Sequence, residues 1–579
     1  MKGGEFLTNT TSIDEMFTYE DFSEEQKMMY EATKEFVEKE VLGNIDKIEK
    51  QEGTIVPDTL KLAGELGLLG ISAPEELGGL GMSFNTSMLI ADIIGVAGSF
   101  GTTFGAHTGI GTLPILYYGN EEQKQKYIPK LSTGELIGCY CLTEPGAGSD
   151  ANAGKTNAKL SEDGKNYIIN GQKIWISNGG FADIMVVFAK IDDDKNHSAF
   201  IVESKSKGIT MGPEEVKLGI KGSSTRQIFY ENVEVPVENL LGNRGQGFEI
   251  ALNILNIGRI KLCSSAIGGA KNLIEQTEEY VDERKQFGKS IGEFGAIKQK
   301  IARMKSKTFA SESLMYRAGQ DIEDRGNHIS LTKGEQEVVS KNETKNITLT
   351  NLKEEKLGIV RATSEFAIEC AIAKVHGSET LDYVADESIQ CHGGMGYSAE
   401  YPIERAYRDA RISRIYEGTN EINRMLLVGQ VLKKIKNKDI SITGMVKKSI
   451  FKQFTDLFKC SYDGIDLIEN HKSICSLLIY VLYKEYGKDL AKQQEILLSM
   501  ADIIIEIYAS ESALLRSKKT DKVSHENMAN FYLYEANQKI KEKSNEIIDS
   551  SSYGVKRVLL KKIINKLTNH THVNPYLLY

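Results

Sequence analysis

The sequence predicts an α+β multidomain chain that is mainly helical, and three observations carry that prediction. No proline stands between Pro236 and Pro402, or between Pro402 and Pro575. Chain so free of breakers over such lengths reads as long helices. Residues 140–245, by contrast, are rich in β-branched and aromatic runs, among them Ile184-Met185-Val186-Val187-Phe188 and Gln227-Ile228-Phe229-Tyr230, the signature of strands. The length of 579 residues has room for roughly three or four domains of about 150 residues each. The resulting order is a helical N-terminal domain (1–136), a sandwich- or barrel-like β-domain (137–240), a helical bundle (241–436) and a further helical extension (441–579).

Taken in order, Ser23 with Gln26, and Asn120 with Gln123, are capping-box patterns that open helices. Ala73-Pro74-Glu75-Glu76-Leu77-Gly78-Gly79-Leu80-Gly81 is a glycine-rich loop, read as structural. In the β-domain, Asn170-Gly171 lies between two apolar runs and predicts a hairpin turn. Residues 324–356 are polar and charged and read as a surface excursion between helices. In the extension, Val446, Ile450, Phe451, Phe454, Leu457 and Phe458 recur at helical spacing, with Lys447, Lys448, Lys452 and Lys459 elsewhere on the helix. Such a basic amphipathic helix fits packing on its own domain, the favoured reading, or peripheral contact with a membrane through residues 445–459.

Composition bounds the function. The formal charge is −9, so no nucleic-acid partner is expected. The extension holds 20 Lys and Arg against 16 Asp and Glu, which leaves −13 on the first 440 residues. Seven scattered cysteines without a CxxC pair read as reduced, packed thiols. Nine histidines show no metal-ligand spacing, so no metal site is expected. The N-terminus lacks an apolar signal region, and no run of about 18 apolar residues is evident. A cytoplasmic protein is the expectation.

The chemistry concentrates between Gln390 and Arg424. Gly393, Gly394 and Gly396 bring bare backbone close to something in an otherwise helical region. Glu417 stands between Tyr416 and Gly418, just ahead of Thr419 and Asn420 as caps for a periodic run. A carboxylate at the mouth of a helix suits a base that must reach a carbon acid; it also suits the helix dipole with no chemistry at all. Upstream, Leu142-Thr143-Glu144-Pro145-Gly146-Ala147-Gly148-Ser149 offers hydroxyls and free N–H groups, but it lacks the third glycine and the following helix of a dinucleotide fingerprint. Trp175, the only tryptophan, precedes Ser177; a single indole on a strand is more often core than a platform, though beside the Ser177 hydroxyl it would suit a flat ring.

Tyr140 through Asp150, Trp175 through Gly180, Arg284-Lys285-Gln286-Phe287-Gly288, Gln390 through Gly396 and Tyr416-Glu417-Gly418-Thr419 together resemble the acyl-CoA dehydrogenase family, over about residues 20–435. Asn256-Ile257-Gly258-Arg259, Phe294-Gly295 and the extension resemble its very-long-chain type and the bacterial fatty-acid-degradation members. The resemblance implies an FAD enzyme that oxidises acyl-CoA thioesters to trans-2-enoyl-CoA and passes electrons to an electron-transferring flavoprotein. It implies Glu417 as the base that takes the α-proton while a β-hydride goes to flavin N5. The thioester oxygen would be held by the N–H of Glu417 and a ribityl hydroxyl, an oxyanion-hole arrangement.

The same resemblance implies the remaining roles. Tyr140, Leu142, Thr143, Gly148, Trp175 and Ser177 would face the flavin, with Ser149 at FAD and the CoA moiety. Tyr416 and Gly418 would frame the thioester, and Asn256 and Arg259 would support substrate binding. Arg284, with Gln390, Gly393 and Gly394 adjacent, would reach the FAD pyrophosphate of a second subunit, and Phe287, Phe294, Thr419 and Glu421 would also bind FAD. A guanidinium fork suits a diphosphate, and such a site exists only in a homodimer. Members of the family that carry the base on another helix have a carboxylate where this chain has Gly258, so Glu417 is the base here. Two alternatives stand beside this reading: an acyl-CoA oxidase using oxygen, and a non-catalytic assembly or membrane scaffold.

Overall fold

Two helical regions and the extension surround a central mixed sheet in the computed structural model. The structure describes residues 2–340, 358–441, 464–550 and 554–569, with isolated positions 444 and 446. Ser23 and Asn120 form capping boxes with Gln26 and Gln123, opening helices Glu24–Phe36 and Glu121–Thr133. Each box satisfies two backbone donors that the first turn leaves without partners.

The sheet comprises β1 (Gly138–Cys141), β2 (Asn157–Leu160), β3 (Asn166–Ser177), β4 (Ile184–Ile191), β5 (Ser198–Glu203), β6 (Ile209–Glu214), β7 (Thr225–Pro236) and β8 (Leu240–Leu241). Its order is β6-β7-β3-β2-β4-β5-β8, with β1 parallel to β4. The hairpin expected at Asn170-Gly171 does not form. Both residues lie inside β3, where the register against β7 shifts between Ile169 and Gly171. Gly171 is bare because a Cβ there would stand 2.5 Å from Thr156 Oγ1 and 2.8 Å from its Cα. The Asn170 amide is engaged across the sheet, accepting from Asn232 N at 2.8 Å. Long-range pairing thus outweighs a local turn preference.

The bundle is built on helices Gly247–Glu283, Gly295–Ser340, Ala367–His392, Pro402–Ala410 and Asn420–Lys436. The excursion expected from residue 324 is corrected: helix 295–340 runs on through 324–340, and 341–357 lie outside the described residues. Helix 247–283 is by length and composition apolar enough to cross a membrane, against the expectation of no such stretch. It is a core helix, packed on helices 367–392, 295–340 and Phe84–Ile94.

Of the extension, helices Gly464–Tyr486, Gln494–Thr520, Val523–Ser550 and Gly554–Leu567 are described. Ile474, Leu478, Ile503, Ile504 and Ile507 are fully buried and belong to the same apolar core as Phe6, Met88, Tyr316 and Ile368. The extension therefore shares the core of the bundle. The basic stripe at 445–459 falls outside the described residues apart from Val446, which packs against that core.

Candidate active site

Glu417 sits two residues before Thr419, the N-cap of helix 420–436, whose hydroxyl accepts from Ile422 N at 3.3 Å. Its backbone is left-handed, with φ +58°, a strained conformation for a side-chain-bearing residue. Three side chains hold it there. Arg259 Nε donates to the Glu417 carbonyl at 3.3 Å, and Asn423 Nδ2 donates to the carbonyls of Glu417 (3.3 Å), Gly418 (2.8 Å) and Thr419 (3.1 Å). Asn256 Oδ1 in turn accepts from Arg259 Nη1 at 2.6 Å. Asn256 and Arg259 are buried, so the contacts they make are with the Glu417 segment rather than at an open binding surface.

The carboxylate itself is left without support. Glu417 Oε2 is buried and has no hydrogen-bond partner among the described residues. Gly258 makes room for it: a Cβ at that position would stand 2.8 Å from Oε2. The bare helix surface is therefore a condition for the Glu417 carboxylate to sit where it does. Burial pushes the carboxyl up to about 7, against the opposing pull of the Arg259 and Lys374 cations. Lys374 is fully buried and donates to Asn420 Oδ1 at 2.6 Å, immediately beside the base. A carboxyl poised near neutrality, facing open space, is what proton abstraction requires.

That space is a cavity of about 540 Å³ with Glu417, Tyr416, Gly258 and Ser177 at one part of its wall. Beyond them it runs along helix 247–283 past Leu262, Ser265, Gly269 and Leu273 to Gln276, against Ile90, Ile94 and Leu113 of the N-terminal domain. Gly258 and Gln276 are 18 residues apart, roughly 27 Å of helix. It is a long, mostly apolar slot with a carboxylate in its wall.

The β-domain delivers the other segments. Loop 142–149 is anchored by Glu144, which accepts from Lys173 Nζ (2.7 Å), Lys155 N (2.6 Å) and Thr156 N (3.1 Å). Lys173, with no exposed surface, also donates to the Leu142 carbonyl at 3.1 Å. Burial works to raise the Glu144 carboxyl, but Lys173 draws it down to about 2, so it stays ionised. Ile174 N donates to the Thr143 carbonyl at 2.9 Å, which brings the Trp175 segment against the Thr143 loop. Trp175 has φ +59° and is 56% exposed; it is an indole presented outward rather than a core residue. Tyr140 and Leu142 are buried, whereas Gly148 and Ser149 lie on the exposed part of the loop.

The remaining predicted residues lie elsewhere. Arg284 caps the C-terminal end of helix 247–283 and is exposed. Phe287 (φ +55°, 94% exposed) follows in a two-stranded hairpin, and Phe294 packs edge-on against it. Tyr280, one turn before Arg284, stacks on His392 and donates to its carbonyl at 3.2 Å. This brings the Gln390–Gly394 segment to the same end of the bundle. Gly393 and Gly394 are exposed, with nothing within 4 Å of a Cβ built there. Glu421 lies exposed in the first turn after Thr419. Lys173, Lys374 and Asn423 were not marked by any sequence pattern, since each acts through a partner distant in the chain or through a backbone carbonyl.

The descriptions of acyl-CoA dehydrogenase N-terminal, middle and C-terminal domains match residues 23–135, 139–233, and 245–344 with 350–432, and a second C-terminal domain description of that family matches 472–565. The chain belongs to the acyl-CoA dehydrogenase family. It is 42% identical to a probable acyl-CoA dehydrogenase of Bacillus subtilis, over 99% of this chain and 95% of that one. It is 32% identical to the very long-chain specific acyl-CoA dehydrogenase of Bos taurus, over 89% and 78%. An acyl-CoA dehydrogenase of Bacillus anthracis solved with FAD superposes with a TM-score of 0.93 at 42% identity, covering 100% and 97%. The butyryl-CoA dehydrogenase of Megasphaera elsdenii (TM-score 0.61, 33% identity) covers only 71% of this chain but 99% of its own. This acyl-CoA dehydrogenase is an FAD-dependent oxidoreductase, which removes the scaffold alternative. Its residues fit the cofactor: an outward indole on strained backbone at one place, and an exposed guanidinium at the same end of the bundle as two open glycines at another.

Proposed function

We propose that this enzyme removes hydrogen from the α and β carbons of long-chain acyl-CoA thioesters, with Glu417 as the α-proton base. The observation that carries the reading is the unpartnered Glu417 carboxylate, buried in the wall of a long apolar slot. Bound FAD supplies the two-electron acceptor. The protein's own part is to strip water from the base, which raises its affinity for a proton, while Arg259 and Lys374 limit that rise to near neutrality. The Glu417 N–H donates to no group among the described residues, leaving it free for the thioester oxygen as charge develops there. Chain length follows from the slot: at roughly 27 Å it exceeds the half-thickness of a bilayer's ~30 Å hydrocarbon core, the span of one fatty acyl chain.

Arg284 lies 26 residues beyond Gly258, roughly 39 Å along one helix. That distance is too great for one flavin to touch both ends of the bundle in a single chain. The working unit we propose is a homodimer in which each Arg284 end, with Gln390, Gly393 and Gly394, completes the FAD site of the other subunit. An electron-transferring flavoprotein is the proposed acceptor.

The test is anaerobic bleaching of the flavin by a series of saturated acyl-CoAs, followed by admission of air. The expected result is a rise in kcat/KM beyond about ten carbons, each buried CH₂ contributing up to ~0.8 kcal/mol, and slow reoxidation by oxygen. Butyryl-CoA outperforming palmitoyl-CoA would overturn the long-chain assignment, and rapid reoxidation by air would make the enzyme an oxidase.

A further inference from the structure

The acyl slot contains one group that its apolar walls do not explain. Lys261 lines the cavity one helical turn beyond Gly258, on the face that also presents Leu262 and Ser265. Lys261 is partly exposed, yet four buried or partly buried ammonium groups elsewhere among the described residues have acceptors close by: Lys173 has Glu144 at 2.7 Å, Lys374 has Asn420 at 2.6 Å, Lys271 has Asp92 at 2.6 Å and Lys472 has Glu511 at 2.5 Å. Lys261 makes no hydrogen bond and no ion pair with any described residue. Burial alone draws its pKa down to about 8, with no neighbouring charge acting on it. An ammonium in a mostly apolar wall costs more to keep charged without a partner, and no carboxylate among the described residues pairs with it. The slot's other charged wall groups are Glu417, Arg405 and Asp409. Neither Glu417 nor Asp409 forms a hydrogen bond or ion pair with Lys261.

We propose that Lys261 is an anion station inside the acyl slot, and that the enzyme also takes acyl-CoA thioesters whose chain ends in a carboxylate, the monothioesters of dicarboxylic acids. An ammonium has three donors and no acceptor, so its partner must bring the acceptor, and in an apolar wall an opposite charge is the strongest one available. The station lies beyond the reacting carbons. Gly258 abuts Glu417, and the Lys261 backbone is about 5 Å further along the helix; its flexible stem sets which carbon of the chain the ammonium meets, and a chain-length series reads that position. A carboxylate there pairs with Lys261 only at a matching chain length. Shorter diacids fall short of it, and longer ones must fold back or carry an unpaired charge into the apolar stretch beyond.

The inference rests on the reading that this cavity receives the acyl chain, and the experiment separates the two. On the FAD-loaded, full-length enzyme, kcat/KM is measured for dicarboxylic monothioesters of increasing length and for plain acyl-CoAs of the same lengths. The expected result is a maximum in the ratio of diacid to plain substrate at one length, standing about tenfold or more above its neighbours, the scale of one buried charge-assisted hydrogen bond. Lys261→Met should remove that maximum, and Lys261→Arg should keep part of it. Plain substrates active with no maximum in the ratio would overturn the anion station while leaving the dehydrogenase reading intact. A maximum that survives Lys261→Met would place the carboxylate elsewhere. Inactivity toward every plain acyl-CoA would overturn the dehydrogenase reading itself. If the Lys261→Met enzyme does not fold, the wild-type series still decides.

Discussion

Two regions of this molecule bury charge, and they do so in opposite ways. Where the extension meets the body, a network of buried ions is matched among the described residues. Arg317, 2% exposed, donates to Glu511 Oε2 (2.9 Å), Ser512 Oγ (3.0 Å) and Thr11 Oγ1 (2.5 Å), and Lys472 closes on Glu511 Oε1 at 2.5 Å. Arg516 grips Glu312 (2.6 Å) and Glu20 (2.8 and 3.0 Å), and Lys271 joins Glu312 to Asp92. These pairs tie the N-terminal segment, the bundle and the extension into one body. Burial works to raise the Glu312 carboxyl, yet Lys271 and Arg516 hold it low. At Glu417 the geometry is withheld. One carboxylate oxygen has no partner, the backbone is left-handed, and the nearest cations bind neighbouring groups instead of the carboxylate. Matched burial buys rigidity, whereas unmatched burial keeps a group reactive.

The sharpest way to test the contrast is to neutralise one carboxylate in each region. Glu417→Gln should reduce flavin bleaching by acyl-CoA by at least ~10²–10⁴-fold, the range for loss of a general base, while FAD absorbance persists. The same change should stabilise the substrate-free protein. The Glu417 pKa is raised from 4.5 to about 7 by folding, so its favourable contribution is full below 4.5 and lost as pH rises through 7. The variant should therefore gain on the wild type across that window, approaching roughly 3 kcal/mol at most. Glu511→Gln should do the reverse. It leaves Arg317 without its paired carboxylate and Lys472 with only the Glu469 carboxylate, at 3.4 Å, and urea melts should show a loss of about 3–5 kcal/mol, with turnover per bound flavin preserved. Loss of turnover without loss of stability in Glu511→Gln would erase the distinction between the two regions.

What could be read from the sequence was what is local. The capping boxes at Ser23 and Asn120, the Thr419 cap and the domain-scale effect of the prolines depend on neighbours within a few residues, and all appear in the structure. The position of Glu417 at a helix mouth was legible for the same reason. Gly258 was legible as a missing carboxylate, but not as the space that Glu417 occupies, because that contact spans 159 positions. Lys173 with Glu144 and Lys374 with Asn420 pair across 29 and 46 positions and leave no periodic trace. Asn170-Gly171 misled because its strong turn preference is local while the β3–β7 ladder that outweighs it is not. Residues 324–340 misled because polar composition marks exposure, not irregularity; their Glu, Gln, Lys and Arg are good helix formers.

The smallest expected effect is the most direct probe of how the unmatched site is tuned. Lys374 has no exposed surface and ends on Asn420, three residues past the base. Its charge and that of Arg259 oppose the burial that raises the Glu417 carboxyl. Arg259 also holds the Glu417 carbonyl, so replacing it mixes geometry with charge. Lys374→Met removes charge and keeps most of the side-chain volume. With the Lys374 cation gone, burial acts with less opposition, and the Glu417 pKa should rise above 7. Activity requires the ionised base, so the limb on which kcat/KM falls with decreasing pH should move to higher pH by roughly one unit, the low end for loss of a nearby charge. Activity at high pH should stay within a few-fold of wild type, because the ionised base is the same in both. A purely structural role for Lys374 would lower the rate at every pH and leave the limb where it was. If the limb moves to lower pH instead, Lys374 is not a counter-charge to the base, and the tuning of Glu417 must rest on Arg259 alone.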